Sequence, residues 1–144
     1  MADSTVAQAK QKVRDTLAGS FDDVQFDDDG TASFRYGSAC VFVSVKSFDE
    51  DSSVVVVDSP LVTGAAATAE LYKYIATEQG DYDFGHLRVE VDGDTATIHF
   101  SHALLGDYLD DMELRVAAVA VAFTSDELDD QLVEQFGGKL YDDD

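Results

Sequence analysis

The stretch HLRVEVDGDTATIHF, residues 86–100, decides the fold of this chain. Apolar and polar side chains alternate on both sides of Asp92-Gly93, the period of strands with one buried face. An Asp-Gly pair suits the positive-φ positions of a two-residue type I′ turn, so a hairpin is expected here. With Asp92 and Gly93 at its tip, Val89 pairs with Ala96 and Leu87 with Ile98 on one face. Arg88 then meets Thr97, and Glu90 meets Thr95, on the other. The same register brings His86 opposite His99.

Antiparallel pairing extends outward from this hairpin. Toward the N-terminus, residues 65–78 carry Leu71, Tyr74 and Ile75 at helical spacing, with Thr68 placed to cap an orphan amide. Before them, Val54-Val55-Val56-Val57 is apolar on both faces and reads as a central strand that Pro60 closes. Residues 31–36 and 39–48 alternate around Gly37-Ser38, a second hairpin, with Phe34 and Tyr36 on the face of Val41, Val43 and Val45. Val24 and Phe26 suggest a short strand before the Asp27-Asp28-Asp29-Gly30 turn. Residues 4–18 form an amphipathic helix through Val6, Ala9, Val13 and Leu17, ended by Gly19.

Toward the C-terminus, Leu105 to Phe123 reads as a buried helix. Thr124 and Glu127 offer a capping box at which that helix kinks or a new one begins. Leu128, Leu132, Val133 and Phe136 continue the apolar stripe, and Gly137-Gly138 stops it. The expected order is α-β-β-β-α-β-β-α: an α+β fold with an antiparallel sheet of about five strands and helices packed on one face. Residues 1–138 form a single domain, and 139–144 an acidic tail.

The chain has 144 residues and a net charge of -21, with 23 of its 30 acids aspartate. Such a surface repels phosphate backbones and anionic bilayers, so neither nucleic acid nor membrane is an expected partner. No apolar run approaches the ~20 residues of a membrane-spanning helix. The polar start, Met1-Ala2-Asp3-Ser4-Thr5, lacks a secretory pattern. The single cysteine, Cys40, allows no internal disulfide; with these features it makes the cytoplasm the expected location. The acidity itself reads as a solvated surface, a salt-adapted surface or a mimic of DNA.

Catalytic signatures are missing: there is no phosphate-cradling glycine loop, no GxSxG and no HExxH. A calcium loop centred on Gly30 would need a bidentate acid where Tyr36 stands. Cys40 lies on the strand face opposite the core and reads as a surface or interface thiol. The pairs Asp110-Asp111 and Asp129-Asp130 are expected on solvated helix faces, since neighbours on a helix do not converge. His86 and His99, facing each other with Asp83 nearby, form the weak alternative of a metal-binding or catalytic pair. The chain is therefore expected to be no enzyme and to need no cofactor.

Three motifs carry a resemblance. The run Ala118-Val119-Ala120-Val121-Ala122-Phe123-Thr124-Ser125-Asp126-Glu127-Leu128-Asp129-Asp130-Gln131-Leu132, leading to Phe136-Gly137-Gly138, is similar to the C-terminal ending common in actinobacterial members of the YbjN-like, type III secretion chaperone-like family. Cys40 to Val45 is similar to that family's VFVxV strand. Thr68 to Tyr72 is similar to its TPELY helix start, with Ala69 in the proline position. The resemblance spans roughly residues 4–138. It implies the same sheet-and-helix layers, a tendency to dimerise, and the holding of unfolded segments of other proteins without catalytic residues.

The expected function is accordingly a protein-binding module, chaperone- or adaptor-like, whose partner is another protein or a second copy. The alternative is an acidic decoy, or DNA mimic, that binds basic proteins by charge. Expected contact residues are those that alternation turns away from the core: Phe42, opposite Ser33, with Cys40 and also Val55 or Val57.

Overall fold

The structure is a computed structural model that describes residues 2–141. Its elements are α1 (Ala2–Ala18), β1 (Gln25–Phe26), β2 (Ala32–Tyr36), β3 (Ala39–Asp49), β4 (Ser52–Ala66), α2 (Ala69–Thr77), β5 (His86–Asp92), β6 (Thr95–Leu105), α3 (Asp111–Phe136) and β7 (Lys139–Leu140). The strands form one antiparallel sheet in the order β1-β2-β3-β4-β6-β5, with β7 added beside β4. The five long strands are those expected, and two-residue strands bring the total to seven among the described residues.

All three helices pack on one face. Val13 and Leu17 of α1, Leu71 of α2, and Leu114 and Leu132 of α3 are fully buried against the sheet. From the sheet, Val41, Val43, Ile98 and Phe100 meet them with no exposed surface. Fully burying a side chain of this size is worth roughly 1.5–3 kcal/mol, so this two-layer seam is the main source of stability.

The β5–β6 hairpin forms, but its register differs from the expected one by two residues. Asp92 pairs with Thr95, so Gly93-Asp94 is the turn, with φ of +62° at Gly93. A glycine in the first central position, followed by a residue of negative φ, is type II′ chemistry. Val89 now meets Ile98 and Leu87 meets Phe100. Since the shift is even, each side chain keeps its face.

Pro60 does not end β4. The strand runs on to Ala66, with register irregularities between Pro60 and Val62 and between Val62 and Ala65. A bulge is where a strand tolerates a residue without an N–H. The second helix is thus shorter than expected, starting after the Thr68 cap, whose hydroxyl accepts from the Leu71 amide at 3.2 Å.

Residues 99–105 belong to β6, because they pair with 54–60 of β4. Then Asp110 caps α3 by accepting from the Glu113 amide at 2.8 Å. From there α3 is one uninterrupted helix of 26 residues, with no break at Thr124. The two residues between the expected box positions hold the helix through this stretch: Ser125 is buried, and Asp126 accepts from the Ser38 amide of the Gly37-Ser38 turn.

The chain end also differs from expectation. Lys139 and Leu140, assigned to a tail, form β7 against Thr63 and Val62, and the Tyr141 amide donates to Leu61 at 3.0 Å. Residues 142–144 of that assigned tail lie outside the described residues. Gly138, with φ of +81°, passes so close to β4 that a Cβ would overlap the Thr63 carbonyl. The two glycines therefore do separate jobs. Gly137 closes α3, donating to Val133 at 2.8 Å, and Gly138 lets the chain lie on the sheet.

Candidate functional site

Three surfaces deserve comparison, beginning with the residues nominated by alternation. Val57 pairs with Val43, and Val55 with Val45. They therefore face the helices and are wholly buried, which corrects the expectation that they point outward. The outward members of the valine run are Val54 and Val56. Cys40 is on the helix-free face but is buried, at the base of a shallow cleft with Arg35, Ser33 and Gln25. Phe42, opposite Ser33 as expected, is half-buried, its ring edge-on to Tyr141 at 6.1 Å. Of the four, Phe42 alone offers a large accessible side chain.

The helix-free face also holds a polar network that the expected register concealed. His86 stands opposite Ser101, and His99 opposite Arg88, so the two histidines do not share a rung. Asp58 lies at the centre. It accepts from Ser101 Oγ, from Arg88 at 3.2 Å, and meets His99 Nδ1 at 3.1 Å. Arg88 also donates to Glu90 at 2.6 Å. Burial opposes ionisation of Asp58, but the bonds from His99 and Ser101 and the adjacent positive charges outweigh it. Its pKa falls below the ordinary carboxylate value. A serine, a histidine and an aspartate meet here without forming a nucleophile: Ser101 donates to Asp58, not to a histidine nitrogen that could take its proton. Among the described residues no three His, Cys, Asp or Glu side chains are grouped to hold a metal.

The third surface was not foreseen. On α3, Met112, Val116, Val119 and Phe123 are exposed by 66%, 38%, 42% and 49%. Their spacing of four, three and four residues places them on one ridge, opposite the buried Leu114, Ala118, Val121 and Ala122. At the start of the ridge, Phe84 and Leu104 join Met112, Val116 and Ala117 around an apolar groove of about 400 Å³. Asp110 and Glu113 stand at its rim. The long apolar stretch 116–123 signals burial on every side when read as a sequence. The fold covers only one side of it, since α1 and the sheet occupy the inner face.

The sequence and the α+β layer fold are matched by known proteins. The sequence profile of a family described as T3SS (YopN, CesT) and YbjN peptide-binding chaperone 1 (TY-Chap1) matches residues 7–144. The chain belongs to this family. Its membership bears out the resemblance carried by the C-terminal motif.

Solved structures agree on the fold of this TY-Chap1 member. YbjN from E. coli is similar with a TM-score of 0.58 and 8% identity, over 92% of this chain and 95% of that one. A chain of the ExsC–ExsE complex is similar with a TM-score of 0.55 and 13% identity, over 90% and 93%. No curated protein sequence matches. Identities this low establish the fold alone; the peptide-binding character comes from the family. No helix among the described residues is long and apolar enough to cross a membrane.

Proposed function

We propose that this chain is a non-catalytic, chaperone- or adaptor-like module that holds an apolar segment of another protein on the outer ridge of α3. The observation carrying this reading is the exposed row Met112, Val116, Val119 and Phe123, continuous with the groove beside Phe84. Uncovered apolar side chains in a contiguous patch mark interaction surfaces, and single scattered ones do not. The peptide-binding description of the family supports it. So does the Ser101–Asp58–His99 arrangement, which lacks the geometry of a catalytic relay. The cytoplasm is the compartment we infer, supported by the lone, buried Cys40.

The helix-free face around Phe42, with Cys40 beneath it, is the rival surface. A titration of a fluorescent, unfolded apolar peptide separates the two. Met112→Glu with Val116→Glu is expected to weaken binding at least about tenfold, since two desolvated apolar contacts of roughly 1 kcal/mol each are lost. Phe42→Asp is expected to leave binding unchanged. The opposite pattern places the site on the sheet. Both exposed positions on α3 tolerate the change without core disruption, which circular dichroism checks.

A homodimer and a charge-only decoy are the alternatives to this reading. The net charge of -21 favours the decoy. Binding through charge alone collapses between low and moderate salt, whereas binding through the ridge persists.

A further inference from the structure

The ridge of α3 changes character along its length. After Met112, Val116, Val119 and Phe123, the same outward face continues with Glu127, Asp130 and Glu134. At a rise of 1.5 Å per residue, the apolar part is about 16 Å long and the acidic part about 10 Å. Arg115 is the one basic residue of α3, against seven acids. The negative end of the helix dipole adds to the acidic part.

We infer that the occupant of this ridge is an amphipathic helix whose apolar stripe is followed by lysine or arginine residues. The inference rests on the reading that the ridge is the binding surface, and it names the partner's chemistry. Spacing of four, three and four is the seam along which one helix packs beside another. A helix laid there buries its apolar stripe over Val116 and Val119 and sets one anchor side chain into the groove at Phe84 and Leu104. Its cationic turns then lie over Glu127, Asp130 and Glu134. Like charge disfavours a second copy in the same place. Antiparallel pairing over the apolar part would set the acidic end of each copy toward Asp110 at the groove of the other.

The test uses the intact protein and three synthetic helical peptides. One has leucines at the ridge spacing followed by three lysines, the second replaces the lysines with glutamates, and the third scrambles the leucines. Fluorescence anisotropy at low salt is expected to show the lysine peptide binding about tenfold tighter than the glutamate peptide. That preference is expected to shrink in about 0.5 M salt. It should also vanish in the variant Glu127→Gln, Asp130→Asn, Glu134→Gln, which keeps the weaker apolar affinity. Equal affinities for the two charged peptides, or a preference untouched by that variant, overturn the inference while leaving the ridge as the site. Binding of none of the three, or of the scrambled peptide as well as the others, removes the reading beneath it. Sedimentation showing a dimer that Met112→Glu dissolves assigns the ridge to a second copy and overturns the inference.

Discussion

At the scale of single residues, the most constrained position is Asp129. It is buried in α3, its carboxylate 2.5 Å from Ser38 Oγ, which lies 2.9 Å from Asp126. A hydroxyl has one proton to give, so it cannot satisfy two carboxylates at once. Burial raises the pKa of Asp129, with the nearby acids adding to the effect, and its bonds to Ser38 and to the Asp130 amide only partly offset this. A raised carboxyl pKa means the folded state holds the proton more tightly than the unfolded chain. The stability it gives is present below the unfolded value and is lost as pH rises through the folded one. Asp129→Asn removes that loss. The variant is therefore expected to melt at a higher temperature than the parent at pH 8, with the gap closing near pH 4; a lower melting temperature at pH 8 contradicts the account. Asp58 behaves oppositely. Its lowered pKa contributes stability above the unfolded carboxylate value, lost as pH falls through the folded one. Asp58→Ala strands Arg88 and His99 and is expected to cost about 1–3 kcal/mol in urea unfolding at neutral pH.

At the scale of elements, Gly138 couples α3 to β7. Replacing it with alanine puts a Cβ against Thr63 in a positive-φ conformation, and a loss of about 1–3 kcal/mol in thermal or urea unfolding is expected. Gly93→Ala, in an open turn with nothing nearby, should cost less. The sequence made the elements legible wherever alternation was strict. The Gly37-Ser38 hairpin has the register its spacing implies, Phe34 against Val41. The hairpin after Asp92 lies two residues from the expected register because Gly93 can stand second in a turn, after Asp92, or first, before Asp94, and alternation cannot distinguish shifts of two. β4 runs past Pro60, although a proline's missing N–H signals a strand end, because an irregularity in the sheet absorbs it. The ridge is illegible in the sequence for a related reason. A run such as Val116 to Phe123 looks buried all round, and which side stays open depends on where α1 and the sheet lie. Val55 and Val57 differ in the reverse direction: as cross-strand partners of Val45 and Val43 they share the core face.

At the scale of the whole molecule, two properties are superimposed. One is a neutral, two-layer core that any member of this fold builds. The other is a coat of carboxylates, giving a net charge of -21, a field that in general favours the approach of cations. The acidic second half of the α3 ridge is where the coat and the apolar surface adjoin. Net charge alone predicts binding spread over the surface; the ridge predicts binding at one place. Methyl NMR of the intact protein, titrated with an unfolded apolar peptide, tests this most directly. Saturable shifts are expected at the methyls of Met112, Val116 and Val119 and at Leu104 in the groove, with Val54 and Val56 on the helix-free face unmoved. Shifts confined to Val54 and Val56, or none at any methyl, would contradict it.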